Sequence, residues 1–256
     1  MRGAIVVAGV LAACGRLGFD PEGARTFDGA PSGGDGPTAG GPDASTVCSG
    51  FICDDFESST LDPRWDISTS MGSGGLDTTR AHSGTQSVHL VVNAITTSSN
   101  DVYALLHSEM GLPFTGTIYA RAWVYVPSPW PTTPIDQIID FSTLGGLGIS
   151  TGTRDGLLVS NDYTSMQFGE GSDALPLDTW FCLQFEMPSG TTGTTDVALD
   201  GNSLADLTLT KTSTQPSPQQ VYIGTEWAGT VTSAPKTEVW IDDVIVSTGP
   251  TTCAQE

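Results

Sequence analysis

The sequence predicts an all-β domain, a sandwich or a barrel of antiparallel strands, and three observations support this prediction. Helical periodicity is hard to find, whereas apolar and polar residues often alternate with a period of two. Turn-forming residues are abundant, with 31 Gly and 16 Pro in 256 residues. They interrupt the chain at short intervals, which is typical of domains built from many short strands.

The first 13 residues have the layout of an export signal. Arg2 precedes a run of small and apolar residues that is too short to span a bilayer as a helix. The run ends in Leu11-Ala12-Ala13-Cys14, which resembles the lipobox of bacterial lipoproteins. The resemblance implies cleavage before Cys14 and acylation of that cysteine, and two or three acyl chains make a stable membrane anchor.

Residues 14–47 are predicted to be the acylated cysteine and a disordered tether. Gly, Pro, Asp, Ala and Thr dominate this segment, and large apolar residues are almost absent after Phe27. Such a composition buries too little surface to offset the entropy lost on ordering. Gly15 follows the acylated cysteine directly, which is compatible with sorting to the outer membrane or cell surface. Residues 48–256 then form one folded domain.

The chain is strongly acidic. It has 29 Asp and Glu against 9 Lys and Arg, a formal net charge of −20. This balance argues against nucleic acid and against anionic lipid surfaces as partners. We therefore expect membrane contact through the lipid anchor only, and a monomer.

Alternating segments separated by turn residues give the individual strands. They are predicted at 51–57, 86–93, 117–126, 136–142, 156–160, 165–169, 180–187, 195–200, 204–210, 219–225 and 237–247. Asp200-Gly201 lies between two of them and predicts a hairpin turn.

Two of these strands have a clear core face. In 180–187 it consists of Phe181, Leu183, Phe185 and Met187, and in 117–126 of Ile118, Ala120, Ala122, Val124 and Val126. The opposite face of 117–126 carries three aromatic residues interleaved with one arginine. Such a face suits a broad groove in which sugar rings stack on aromatic side chains.

The order of several short motifs resembles a known family. The motifs are CDDFESSTLDPRW at 53–65, AHSGTQSVHLV at 81–91, YARAWVYVPS at 119–128, LDTWFCLQFEM at 177–187, VALDGN at 197–202 and EVWIDDVIVS at 238–247. Together they are similar to the concanavalin A-like jelly roll of laminin G-like domains, several polysaccharide lyases and glucanases. The resemblance spans residues 51–248 and implies two antiparallel sheets packed face to face, one of them concave and open to ligand. Carbohydrate-binding modules of the galactose-binding-like jelly roll fit in part, but they are usually shorter.

The cysteines indicate disulfides in an oxidising compartment. Acylation of Cys14 leaves four of the five cysteines, an even number in an exported chain. In the families that the chain resembles, the first and last strands pair antiparallel. The resemblance therefore implies a Cys48–Cys253 bridge and leaves Cys53 with Cys182, although the sequence alone allows three connectivities.

The predicted ligand-binding residues follow from the aromatic face. They are Tyr119, Arg121, Trp123 and Tyr125 on one strand, Gln184 and Glu186 on another, and Trp227 just after a strand. Arg121 also has a purely structural interpretation, as the ion-pair partner of Glu186.

Catalytic residues are not identified. A glucanase of this fold would need the spacing Glu-x-Asp-x-x-Glu on one strand, which is not found, and the three histidines lie in separate segments. Asp54, Asp55, Asp242 and Asp243 lie on the first and last strands, where hard oxygen ligands suit a structural Ca²⁺.

The sequence thus predicts a surface-anchored lipoprotein whose jelly-roll domain binds carbohydrate without catalysis. Two alternatives stay open: a polysaccharide lyase or glycoside hydrolase of the same fold, and an adhesion module that binds protein.

Overall fold

The computed structural model describes residues 51–109, 116–132, 135–143, 148–189, 192–211 and 218–253. The signal peptide predicted at 1–13, the acylated Cys14, the tether at 14–47 and Cys48 lie outside the described residues. Within the described part of the chain, no helix is long and apolar enough to cross a membrane.

Strands make up almost all of the regular structure. In chain order they are β1 (Ile52–Asp54), β2 (Asp66–Ser70), β3 (Gly72–Asp77), β4 (Ser87–Val92), β5 (Ser99–Glu109), β6 (Thr117–Tyr125), β7 (Ile135–Ser142), β8 (Gly148–Arg154), β9 (Leu157–Asp162), β10 (Gln167–Ala174), β11 (Trp180–Pro188), β12 (Gly193–Leu199), β13 (Asn202–Ser203), β14 (Leu209–Lys211), β15 (Gln220–Val231) and β16 (Thr237–Ser247). A 3₁₀ turn at Ala205–Leu207 precedes β14.

The strands form two antiparallel sheets. Sheet I has the order β13-β12-β11-β6-β16-β4-β3, with β1 also paired to β16 and β14 to β12. Sheet II has the order β10-β9-β8-β7-β15-β5-β2. The all-β sandwich that the sequence predicts is confirmed.

The core lies between the inner faces of the two sheets. Both predicted core faces are confirmed, because the alternate residues of β11 and β6 named above are buried. Phe185 of β11 stacks on Phe141 of β7, with ring centroids 5.5 Å apart, and so connects one sheet to the other. Each fully buried phenylalanine stabilises the fold by about 2–3 kcal/mol.

The first and last strands pair as the resemblance implies. Ile52 of β1 lies opposite Val246 of β16 in antiparallel register. The predicted hairpin is also present, since Leu199 pairs with Asn202 across Asp200-Gly201. Both turn residues have positive φ, 50° and 79°, which is the requirement of a type I′ turn that matches the twist of the strands.

Five strands, β2, β3, β5, β8 and the two-residue β13, are absent from the sequence prediction. β3 reads GSGGLD and β8 reads GISTGTR, and glycine has low strand propensity. β5 contains Leu105 and Leu106 side by side, which hides its alternation. The single strand predicted at 204–210 is instead the 3₁₀ turn followed by β14. In all these segments, pairing with neighbouring strands outweighs local propensity.

The disulfide pairing implied by the resemblance is wrong. Cys253 is bonded to Cys182, with Cα atoms 5.8 Å apart, and Cys53 is also disulfide-bonded. Cys53 lies on β1, three strands from Cys182 along β1-β16-β6-β11, a separation of about 14 Å at the usual strand spacing. This separation exceeds the roughly 7 Å between Cα atoms that a disulfide tolerates. Beyond β16 the chain turns back across sheet I, and this brings Cys253 to β11.

Candidate functional site

The predicted ligand-binding residues of β6 and β11 lie together on the outer face of sheet I. Arg121 of β6 lies opposite Gln184 of β11, and Tyr119 lies opposite Glu186. The phenol of Tyr119 is hydrogen-bonded to the Glu186 carboxylate. These residues are therefore neighbours in the structure, and their role in ligand binding stays a prediction.

Loop residues between β3 and β4 cover the aromatic part of this face. The His82 ring stacks on Trp123 with centroids 3.7 Å apart, and the Arg80 guanidinium lies 4.2 Å from the centre of the Tyr125 ring. Trp123 and Tyr125 are consequently only 7% and 8% exposed.

The C-terminal segment covers the rest of the face. The Gln184 amide donates to the carbonyl of Thr251 at 2.6 Å, and Arg121 Nη1 donates to the carbonyl of Thr252 at 2.9 Å. The disulfide of Cys253 fastens this segment to β11. The open aromatic groove predicted on this face is thus absent from the described structure, because two segments distant in sequence fold over it.

Trp227, the remaining predicted ligand-binding residue, lies elsewhere. It belongs to β15 of sheet II, is 4% exposed and packs in the core between the sheets. It is not brought together with the residues of β6 and β11.

The four aspartates predicted to hold calcium are used as hydrogen-bond acceptors. Asp242 accepts from the backbone N–H groups of His82 and Ser83, and the Asp243 carboxylate contacts the His82 ring at 2.6 Å. Asp54 and Asp55 accept from backbone N–H groups two residues further on. The described residues contain no cluster of three or more His, Cys, Asp or Glu side chains that could hold a metal ion. Calcium binding by these aspartates stays a prediction.

A different surface has the form of a binding site. The outer face of sheet II contains a groove of about 480 Å³, within the range of about 300–1,000 Å³ found for ligand sites. Its floor is formed by the central strands β7, β15 and β5, with Ser68 of β2 at one side and Tyr163, which follows β9, at the other. The side chains that project from these strands are mainly polar or aromatic: Tyr103, Leu105, Gln137, Asp140, Ser142, Gln220, Tyr222 and Glu226.

One cross-strand row runs through the floor of this groove. His107 of β5 lies opposite Tyr222 of β15, Tyr222 lies opposite Asp140 of β7, and Asp140 lies opposite Ser150 of β8. The rings of His107 and Tyr222 are stacked, with centroids 4.4 Å apart and planes 11° from parallel. The Tyr222 hydroxyl donates to the Gln220 side chain, and Tyr163 and Ser150 share a hydrogen bond between their hydroxyls.

Burial keeps this row uncharged near neutral pH. It raises the pKa of Asp140 to about 8, the nearby charge of Glu226 acts in the same direction, and the hydrogen bond with Ser142 opposes both. Burial also raises the pKa of Tyr222, and it lowers the pKa of His107. Near pH 7 the dominant form of all three side chains is therefore neutral.

Two buried polar atoms of this row have no hydrogen-bond partner among the described residues. They are Oδ1 of Asp140 and Nε2 of His107, on either side of Tyr222. Buried polar atoms in folded proteins are nearly always hydrogen-bonded. Eleven other buried side-chain atoms of the described residues also have no partner, but among the thirteen residues concerned only Asp140 lines the groove. Its Oδ1 is therefore a candidate contact for a bound molecule.

Sequence reasoning missed this groove although most of its strands were predicted. The signal lay in the strand at 136–142, where Gln137 and Asp140 interrupt an apolar stretch. Their spacing of three is not the strict alternation of a strand, and the pairing of β7 with β15 shows register irregularity between Ile223 and Glu226. Such a bulge re-aims side chains, so the outward set cannot be found from alternation alone.

Comparison with known proteins places this fold in a family. Residues 55–249 match the family described as polysaccharide lyase-like, Cip1-like, core domain. The chain belongs to this family. The match covers nearly all of the described β-sandwich, including both sheets.

The solved structures with similar folds include the following two. The cellulose-induced protein Cip1 is 20% identical, aligns over 79% of this chain and 100% of its own, and has a TM-score of 0.63. The endo-β-1,4-glucuronan lyase of the fungus Trichoderma reesei is 13% identical, covers 78% and 96%, and has a TM-score of 0.61. At these identities the likeness shows the fold alone, and the predicted jelly-roll sandwich is confirmed. A comparison with curated protein sequences finds no match.

Proposed function

We propose that the groove of sheet II binds a neutral polysaccharide and does not cleave it. The observation that supports this most directly is the lining of the groove. Tyr103, Tyr163 and Tyr222 offer aromatic surface, whereas amides, hydroxyls and carboxyls converge on the same space. Apolar and aromatic surface with a few converging polar groups is the usual composition of a small-molecule or sugar site. Membership of a polysaccharide lyase-like family is consistent with a polysaccharide partner.

Charge favours a neutral chain over an acidic one. The carboxylate of Glu226 lines the groove, and none of the described lining residues is Lys or Arg. A polyuronate carries one carboxylate on every sugar, and its approach to an acidic groove in a chain of net charge −20 is unfavourable. Neutral chains incur no such repulsion.

The proposal is tested by affinity gel electrophoresis of the mature chain. Hydroxyethylcellulose, xyloglucan, galactomannan and laminarin represent neutral polysaccharides, and glucuronan and alginate represent acidic ones. We expect retardation by at least one neutral polymer and none by the acidic polymers. Retardation by acidic polymers alone, or by none of the six, would contradict the proposal.

A matched pair of variants locates the site. Tyr222→Ala removes an aromatic ring from the floor of the groove and should weaken binding at least about tenfold, as expected for a central aromatic contact. Tyr119→Ala removes the same side chain from the outer face of sheet I and should leave binding unchanged. Equal losses in the two variants would mean that the groove is not the site.

A polysaccharide lyase is the second candidate, and the stacked pair of His107 and Tyr222 favours it. Lyases of related folds pair a tyrosine with a histidine or arginine and use further groups to neutralise the substrate carboxylate. Incubation with glucuronan or alginate, followed by ultraviolet absorbance, detects the unsaturated end that elimination creates. We expect no new absorbance, and its appearance would establish the lyase and overturn the non-catalytic proposal. A protein-binding adhesion module would bind none of the polysaccharides and would be recognised by that outcome.

We also propose that acylated Cys14 anchors the domain to the outer membrane or cell surface. The support is the lipobox-like sequence and the acidic, Gly- and Pro-rich segment that follows it. Metabolic labelling with palmitate should label the wild-type chain and not Cys14→Ala, and the variant should leave the membrane fraction. Equal labelling of both chains would contradict the anchor.

A further inference from the structure

Asp140 occupies the centre of the groove floor. It lies on β7, between Tyr222 of β15 and Ser150 of β8, and it is only 3% exposed although it lines the groove. Its carboxyl is hydrogen-bonded to Ser142. Its second oxygen, Oδ1, has no partner within the described part of the chain.

The protonation state of the Asp140 carboxyl determines whether it can donate a hydrogen bond. A neutral carboxylic acid has one O–H donor in addition to acceptor sites, whereas a carboxylate only accepts. Burial, reinforced by the charge of Glu226, keeps the neutral form dominant near pH 7. The groove therefore offers an O–H donor where sequence inspection would place a negative charge.

The titratable surroundings of Asp140 do not stabilise its ionised form. β15 contributes Tyr222 and Glu226, β5 contributes Tyr103 and His107, and Tyr163 lies at the groove side. The charge of Glu226 opposes a second negative charge, and burial favours the neutral form of His107. No described residue lining the groove supplies a positive charge to pair with an Asp140 carboxylate.

We propose that Asp140 is a specificity-determining residue, which binds the polysaccharide as a neutral carboxylic acid and donates a hydrogen bond to an oxygen of the sugar. This inference rests on the proposed function, because it requires that a neutral polysaccharide occupies the groove. Beyond the proposed function, this inference identifies the residue that donates a hydrogen bond to the sugar, and it predicts that the affinity for the polysaccharide depends on pH.

The direction of the pH dependence follows from linkage. A bound chain excludes water from the groove and so raises the pKa of Asp140 further, because desolvation disfavours the charged form. Affinity is then constant while the free protein is protonated, and it falls as the pH rises through about 8, the pKa in the free protein. Between about pH 7 and about pH 9 the loss should approach tenfold.

The experiment measures affinity by calorimetry against the neutral polysaccharide that is retarded most in the gel panel. Wild-type affinity should fall about tenfold between about pH 7 and about pH 9. Asp140→Asn keeps the shape and an N–H donor but cannot ionise, so it should bind within about threefold of the wild type at pH 7 and show no such decline. Asp140→Leu removes the hydrogen-bonding group, so its affinity should be at least about tenfold below that of the wild type at pH 7 and should not change with pH.

The outcomes separate the two proposals. Wild-type affinity that is flat or rises with pH overturns the role of Asp140 and needs no variant, so a folding defect in Asp140→Leu cannot obscure it. A decline that persists in Asp140→Asn also overturns it, because another group would then be titrating. If the protein binds a neutral polysaccharide but shows either of these pH dependences, only the role of Asp140 is contradicted and the proposed function is retained. If it binds none of the neutral polysaccharides, both proposals are contradicted.

Discussion

Replacing Asp140 by Asn should stabilise the folded domain, and the gain should increase with pH. Burial raises the pKa of the Asp140 carboxyl from an ordinary value of 3.8 to about 8. Between these values the unfolded chain has released the proton and the folded chain retains it. Unfolding then releases a proton, and wild-type stability falls as the pH rises through this window. Asn mimics the neutral acid and removes this dependence.

The magnitude follows from the size of the pKa change. One pH unit corresponds to about 1.4 kcal/mol, so the span from 3.8 to about 8 corresponds to at most about 6 kcal/mol. The pKa of Asp242 is also raised, to about 7, mainly by burial and then by Asp243. Asp242 gives a slope of the same sign, and the informative quantity is therefore the difference between variant and wild type.

Urea unfolding followed by tryptophan fluorescence, from about pH 5 to about pH 9, measures this difference. The free energy of unfolding of Asp140→Asn minus that of the wild type should grow steadily up to about pH 8 and then level off. Asp173→Asn, an exposed substitution on β10 of the same sheet, should show no comparable trend. A difference for Asp140→Asn that stays constant over the whole range would refute the reasoning.

Two further predictions concern the covered face of sheet I. The Cys182–Cys253 bridge spans 71 residues, so replacing both cysteines by Ala should cost about 4 kcal/mol in urea unfolding; a loss below about 1 kcal/mol would contradict the loop-entropy argument. His82→Ala removes the stack on Trp123 and the 2.6 Å contact with Asp243, which should cost about 2–3 kcal/mol. It should also shift tryptophan emission to the red as Trp123 becomes exposed to water, and an unchanged emission maximum would show that the loop does not shield this ring.

Most of the fold could be predicted from the sequence, because it depends on the local alternation of apolar and polar residues. The inward residues of β6 and β11 repeat every second position, and a pleated strand must place such residues on one face. The Asp200-Gly201 turn could also be predicted from local sequence, since few residue pairs tolerate positive φ at both positions. Strands such as β3 and β8, rich in Gly, Ser and Thr, could not be predicted in this way, because they are strands only through their pairing with neighbouring strands.

The candidate site could largely not be predicted from the sequence, because whether a sheet face is exposed to solvent does not depend on the local sequence alone. The aromatic face of β6 has the residues of a sugar-binding surface, yet His82 and Thr252 reach it from distant parts of the chain. Conversely, the strand containing Asp140 looks like an ordinary core strand until β15 and β8 are placed beside it. Whether a carboxyl is buried, and hence neutral, depends on all the elements packed around it.

The amino-acid sequence by itself determined the all-β class, the faces that meet in the core and the chemistry available on each strand, because these depend on residue order along one strand. Only the tertiary structure decided which sheet stays open, which cysteines meet and which acidic group loses its charge. Those outcomes depend on contacts between segments far apart in the chain, and neither periodicity nor composition encodes their distances.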